Sequence, residues 1–253
     1  VKRAVITGAS SGIGLALAQE LARRGWGVAL LARRTELLNE AVAALGTPAT
    51  SVTCDVTDAA SVAAAVRRGE ENLGGPFDLA VANAGVGYPT SAWNFDVLVA
   101  GEIVRINVIG TLNLFGAVVP SMIERKSGHF AGVASLAGHR GLPTASVYSA
   151  SKAAMIAFLE ASRIELAQFG VGVSIVNPGF IETAMTSKNR FRMPFLWKAD
   201  RAARVIADGL ERGKRVIEFP LPMSVMTRAV RHLPDAVYDA MMRRGLRRRK
   251  PTS

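Results

Sequence analysis

Tyr148-Ser149-Ala150-Ser151-Lys152 places a phenol and an amine four residues apart. On a helix, that spacing puts both side chains on one face, a turn apart. A phenol exchanges protons poorly near neutrality, because its unperturbed pKa is about 10. A lysine ammonium a few ångströms away favours the phenolate and lowers that pKa. The pair is then expected to pass a proton to or from an alcohol or carbonyl oxygen. By itself the spacing equally describes a packed aromatic beside a solvated amine, so the rest of the chain has to decide.

A second group of residues suits a dinucleotide. Residues 3–7 are short, apolar and β-branched, and read as a buried strand. Gly8-Ala9-Ser10-Ser11-Gly12-Ile13-Gly14 follows, and then a helical pattern over 15–24. Strand, glycine-rich turn and helix form the context in which glycines let the backbone approach a pyrophosphate and a helix N-terminus supplies free N–H groups. No Gly-Lys-Ser/Thr follows, so a nucleoside-triphosphate loop is not supported. Residues 28–31 read as the second strand. At its end, where Asp or Glu would read a ribose hydroxyl, stand Ala32-Arg33-Arg34. Two cations there suit a 2′-phosphate, and NADP(H) is favoured over NAD.

These groups need a scaffold. Helical patterns over 35–45 and 61–71 alternate with strand-like runs at 49–54 and 78–82. A long helical stretch covers 97–126, with Asn107 inside it and Pro120 expected to kink it or start a new turn. Further strands are expected at 129–134, 171–176 and 215–219, with helices between them over about 148–169 and 199–212. The alternation predicts an α/β, Rossmann-type, doubly wound parallel sheet of seven strands with helices on both faces, as a single domain over 1–253. Ligands of such sheets sit at the carboxyl ends of the strands. The glycine turn, Arg33 and Arg34, Asp55 and Val56, and Asn83, Ala84 and Gly85 all fall there. Residues 184–198 read as a lid, and 223–253 as a basic amphipathic extension.

Composition removes several classes. Hydrophobic residues make up 49% of the 253, enough for a sizeable core. Cys54 is the only cysteine, and His129, His139 and His232 are scattered, so no metal site is expected. No apolar run is expected to reach the roughly 18 residues of a membrane span, and a cytoplasmic location is expected. The net charge is +11, concentrated in Arg243, Arg244, Arg247, Arg248, Arg249 and Lys250. Such a tail is either a solvated end or a weak contact for an anionic membrane surface. Nucleic-acid binding would rest on charge alone and is not expected.

Taken together, Thr7-Gly8-x-x-x-Gly12-x-Gly14, Asp55-Val56, Asn83-Ala84-Gly85, Asn107, Ser135, Tyr148-x-x-x-Lys152 and Pro178-Gly179-x-Ile181-x-Thr183 resemble the short-chain dehydrogenase/reductase family, in its order and at its spacings. Ala82 departs from a common Asn at that position. The resemblance implies an NADP(H)-dependent carbonyl reductase or alcohol dehydrogenase. Tyr148 would be the general acid/base, and Lys152 would tune it and hold the nicotinamide ribose. Ser135 would bond the substrate oxygen, and Asn107 would anchor a relay water. Gly12, Ile13 and Gly14 would hold the pyrophosphate, assisted by Gly8, Ser10 and Ser11. Asp55 and Val56 would hold the adenine, and Ile181 and Thr183, after Pro178 and Gly179, the carboxamide. It also implies a homodimer or homotetramer through the long helix around Asn107 and the Tyr148 helix. Val86, Tyr88, Ala137, Leu142, Pro143, Phe191 and Trp197 are the expected pocket wall for a small carbonyl or alcohol substrate. The lid aromatics either touch an apolar substrate or simply pack the lid down. A non-catalytic sensor of the same fold is the alternative.

Overall fold

A computed structural model describes residues 1–46, 48–187 and 193–247. Its strands and helices run β1 (Arg3–Thr7), α1 (Gly12–Arg23), β2 (Gly27–Ala32), α2 (Thr35–Ala43), β3 (Ala49–Thr53), α3 (Ala59–Leu73) and β4 (Leu79–Ala82). Then come α4 (Val97–Val104), α5 (Gly110–Glu124), β5 (Gly128–Val133), α6 (Ser146–Ala167), β6 (Val171–Pro178), β7 (Ile181–Glu182), β8 (Trp197–Lys198), α7 (Ala199–Glu211), β9 (Val216–Phe219), α8 (Leu221–Arg231) and α9 (Asp235–Arg247). Seven strands form one parallel sheet in the order β3-β2-β1-β4-β5-β6-β9. The order reverses between β1 and β4, where a Rossmann-type sheet opens its ligand crevice.

Helices cover both faces, so the central strands are apolar on both sides. Successive residues alternate between two cores with the period of a strand. Ile6, Leu30 and Val81 join Leu17, Leu21, Ile206 and Leu210 under α1 and α7. Val5, Leu31 and Ala80 join Val62, Leu114, Met122 and Leu159 under α3, α5 and α6.

The long helix differs from expectation. Its break is a π-turn over Arg105–Ile109, and Pro120 lies inside α5 without ending it. Val118, Val119 and Met122 are buried around Pro120, and this packing outweighs the one backbone bond a proline removes. Contrary to the reading of its hydropathy, Val97–Glu124 is long and apolar enough to cross a membrane. In this fold it serves the core instead, burying Ile103, Ile106 and Leu114 against the sheet side of α3 and α6. The short β7–β8 ladder was not foreseen. Within the described residues, the basic extension holds two helices, with Pro234 between them.

Candidate active site

The π-turn puts Asn107 at the centre of the site, fully buried. Its Nδ2 donates to the Val86 carbonyl at 3.0 Å and to Ser151 Oγ at 2.9 Å, and its Oδ1 accepts from Val86 N at 2.8 Å. Ser151 in turn donates to the Tyr148 carbonyl at 2.7 Å. The loop after β4 is thereby locked to the first turns of α6. A Cβ placed on Gly85 would stand 3.2 Å from Asn107 Oδ1 and 3.5 Å from Lys152 Nζ. One on Gly87 would meet the Tyr148 ring at 3.2 Å and Met185 Sδ at 3.4 Å. Bare backbone therefore lies against all four side chains.

Lys152 is buried. Its Nζ donates to the Val133 carbonyl at 2.9 Å and to Met155 Sδ at 3.5 Å. Burial brings its pKa down to about 8. Tyr148 is half-buried, and its phenol is pushed upward by desolvation, against a smaller opposing pull from the Ser135 hydroxyl. The lowering expected from Lys152 is not found. The amine lies 5.8 Å from the ring centre and is turned towards Val133. Ser135 caps the 3-10 turn over Leu136–Gly138, accepting from Ala137 N at 3.1 Å, and donates to the Pro178 carbonyl at 3.4 Å.

The glycine turn lies beside this group. Gly12 has a φ of +60°, a region that favours glycine. A Cβ there would meet Thr183 Cγ2 at 3.2 Å, so Thr183 covers the turn. A Cβ on Gly14 would stand 2.4 Å from Asn83 Nδ2 and 2.6 Å from the Gly8 carbonyl. Asn83 holds the turn, donating to the Thr7 carbonyl at 2.9 Å and the Gly8 carbonyl at 3.3 Å. The Thr7 hydroxyl accepts from Asn83 N and Ala84 N, both at 3.1 Å. Helix α1 begins with no side-chain cap bond and no acidic residue in its first turn. Its leading N–H groups suit an anion. Arg34 Nη2 donates to both Ser10 Oγ and Ser11 Oγ at 2.8 Å. Asp55 accepts from Thr57 N and Oγ1, each at 2.9 Å. These bonds, the backbone one foremost, hold its carboxyl below the usual range, with Arg33 adding to the effect. Val56 packs against Gly110 at the head of α5. A crowded glycine turn, an uncapped helix N-terminus with free N–H groups and two arginines at the next strand end fit a dinucleotide phosphate.

Among the expected wall residues, Val86 is the one clamped to Asn107. Ala137 and Pro143 are half-buried, while Tyr88 and Leu142 are exposed. Ile181 is in the core, and Gly179 lies tight against Met223 and Pro220. Trp197 corrects the expectation. Its ring stacks on Phe219 at 5.4 Å and lies under the Arg201 guanidinium at 3.8 Å, packed on the α1–α7 core rather than the α6 side. Phe191 lies outside the described residues. Ser151, Met155 and Met185 were not picked out. Ser151 and Met155 share the face of α6 that bears Tyr148 and Lys152, and that shared face was the signal available for them.

A short chain dehydrogenase family model matches residues 2–193. An uncharacterized oxidoreductase of Myxococcus xanthus is 41% identical over 246 residues, covering 96% of this chain and 97% of its own. A short-chain dehydrogenase/reductase from Burkholderia phymatum, solved with NAD, superposes with a TM-score of 0.83 at 25% identity, over 90% of this chain and 92% of that one. The actinorhodin polyketide ketoreductase, solved with NADPH, gives 0.78 at 28% identity, over 86% of this chain and 94% of its own. With the parallel sheet and the crowded glycine turn already in place, these matches make the chain a member of the short-chain dehydrogenase/reductase family, an oxidoreductase by descent and by fold.

Proposed function

We propose that the protein is an NADP(H)-dependent reductase of ketones, interconverting a ketone and a secondary alcohol. The observation that carries this reading is the meeting of Tyr148, Lys152, Ser135 and Asn107 around Gly85 and Gly87, beside the glycine turn. The nicotinamide supplies the hydride. Ser135 orients the substrate oxygen and stabilises charge as it develops there. Tyr148 delivers the proton. Its raised pKa keeps the phenol protonated at neutral pH, which suits reduction. Lys152, about 8, stays largely charged at pH 7 and can reprotonate the phenol. Asn107 holds the Val86 loop and α6 in register for that exchange.

Arg34, bridging Ser10 and Ser11, supports NADP(H), with Arg33 near Asp55. Related structures contain NAD in one case and NADPH in another, so the preference rests on this chain's own arginines. Gly12, Ile13 and Gly14 hold the pyrophosphate, Asp55 and Val56 the adenine end, and Ile181 and Thr183 the carboxamide. Exposed Tyr88, Leu142, Met185, Phe195 and Leu196 support an apolar substrate. Exposed Leu98, Val104, Ile109, Leu112 and Ile164 on α4, the π-turn, α5 and α6 support a homo-oligomer.

The test is NADPH oxidation against ketones of increasing chain and ring size, with wild type and Tyr148→Phe in parallel. Turnover lost in the variant while NADPH binding persists is the expected result. Tight NADPH binding with no ketone turned over would instead favour a sensor.

A further inference from the structure

Helices α8 and α9 bear an outer face that the fold does not cover. On α8, Leu221 is 72% and Val225 58% exposed, with Met226 also exposed; on α9, Val237 is 51% exposed, with Met241 beside it. The opposite faces are engaged. Ser224 and Arg228 donate to Glu218, and Tyr238 is buried with its hydroxyl bonded to the Gly141 carbonyl. Each helix is therefore amphipathic with its apolar side turned outward. Exposed Arg231, Arg243 and Arg244 flank those residues. The acidic residues of the pair, Asp235 and Asp239, are already held by Arg140 and Arg243. Arg248, Arg249 and Lys250 follow in the sequence.

We propose that the outer faces of α8 and α9 dock this protein on an anionic lipid bilayer. Apolar side chains beside arginines match an interface of acyl chains under negative headgroups. A second copy of the chain fits less well, because a two-fold contact would set arginine against arginine. The surface is also joined to the candidate site. Three consecutive residues between Ser135 and Tyr148 are held by these helices or the strand before them. His139 meets Glu218 at 3.0 Å. Arg140 donates to the Val230 and Leu233 carbonyls at 2.8 and 2.7 Å and stacks on Tyr238 at 4.0 Å. Gly141 accepts from Tyr238. Docking therefore sets the catalytic loop close to the bilayer, where an apolar substrate would be dissolved.

The full chain is sedimented with vesicles of phosphatidylglycerol mixed with phosphatidylcholine, and with phosphatidylcholine alone. Binding to the anionic vesicles, weakening with salt, is expected. Arg243→Gln/Arg244→Gln should weaken it about 30-fold, at about fivefold per surface charge. Val225→Glu/Val237→Glu, both at exposed positions, should abolish it while NADPH binding in solution is unchanged. No preference for anionic vesicles overturns the proposal. So does a dimer in sedimentation velocity that Val225→Glu/Val237→Glu dissociates, because the face then belongs to a second copy. Retention on polyglutamate that survives the same double substitution also overturns it, and makes the surface an acidic-protein site. Failure of NADPH to bind the wild type would count against the proposed function and leave the vesicle result intact.

Discussion

Lys152 Nζ sits 5.8 Å from the centre of the Tyr148 ring and donates to the Val133 carbonyl rather than to the phenol. The amine is thus a buried cation with one carbonyl and one thioether for company. Its folded pKa of about 8 lies below the 10.5 of the free side chain. Below pH 8 both states are protonated and the fold bears the whole desolvation cost. Between about 8 and 10.5 the unfolded chain binds the extra proton, so this residue's effect on stability becomes more favourable as pH rises. The shift corresponds to about 3 kcal/mol, part of which is offset by the Val133 bond. Lys152→Met should therefore be more stable than wild type at pH 7, by about 1–2 kcal/mol, and inactive. Paired thermal melts at several pH values should show the gap closing towards pH 10.

The same pKa shapes turnover. Reduction by the wild type should fall as pH rises through about 8, where Lys152 loses its charge. A rate profile flat to well above that pH would remove Lys152 from the proton path.

Arg34→Ala frees Ser10 and Ser11 and deletes the cation at the end of β2. The ratio of NADPH to NADH efficiency should drop by about 10–100-fold, from the loss of a charge-assisted contact. Steady-state kinetics with both nucleotides would check it, and an unchanged ratio would remove Arg34 from nucleotide selection.

Gly14→Ala drives a methyl group to within 2.4 Å of Asn83 Nδ2 and 2.6 Å of the Gly8 carbonyl. Backbone cannot give way there as a flexible side chain would. A loss of about 1–3 kcal/mol is expected, with nucleotide binding impaired, by denaturant titration and fluorescence.

Glu218 is half-buried as a residue with its side chain nearly covered, and it accepts from His139, Asn177, Ser224 and Arg228. Burial alone would raise its pKa, yet these four donors hold it at about 2, against 4.5 for the free group. A depressed carboxyl stabilises the fold above the unfolded value and loses that effect as pH falls through the folded one. Glu218→Gln should thus be less stable than wild type at pH 7. Most of the difference, about 3 kcal/mol at the upper limit, should vanish between about pH 4.5 and 2 in urea titrations.

Much of this was legible in the sequence, for a physical reason. Tyr148, Lys152 and the glycines of 8–14 act through local spacing on one helix or one turn, and spacing is what a sequence displays. Burial is different. The upward shift at Tyr148 arises from side chains far along the chain, so Tyr148-x-x-x-Lys152 suggested the opposite sign. Trp197 misled for a similar reason. A large aromatic after a sheet end suits a pocket, but Phe219 and Arg201 claim both its faces. Arg140 carried no signal at all in the sequence, because its partners lie about 90 residues downstream.

That long reach has a consequence for synthesis. The glycine turn, Ser135 and Tyr148 all leave the ribosome before β9, α8 and α9 exist. A domain folds as a unit, and residues 139–141 take their long-range bonds from β9, α8, α9 and the turn between those helices, so they cannot be fixed until those elements arrive. The catalytic side of the crevice is thus completed by the last part of the chain to be made.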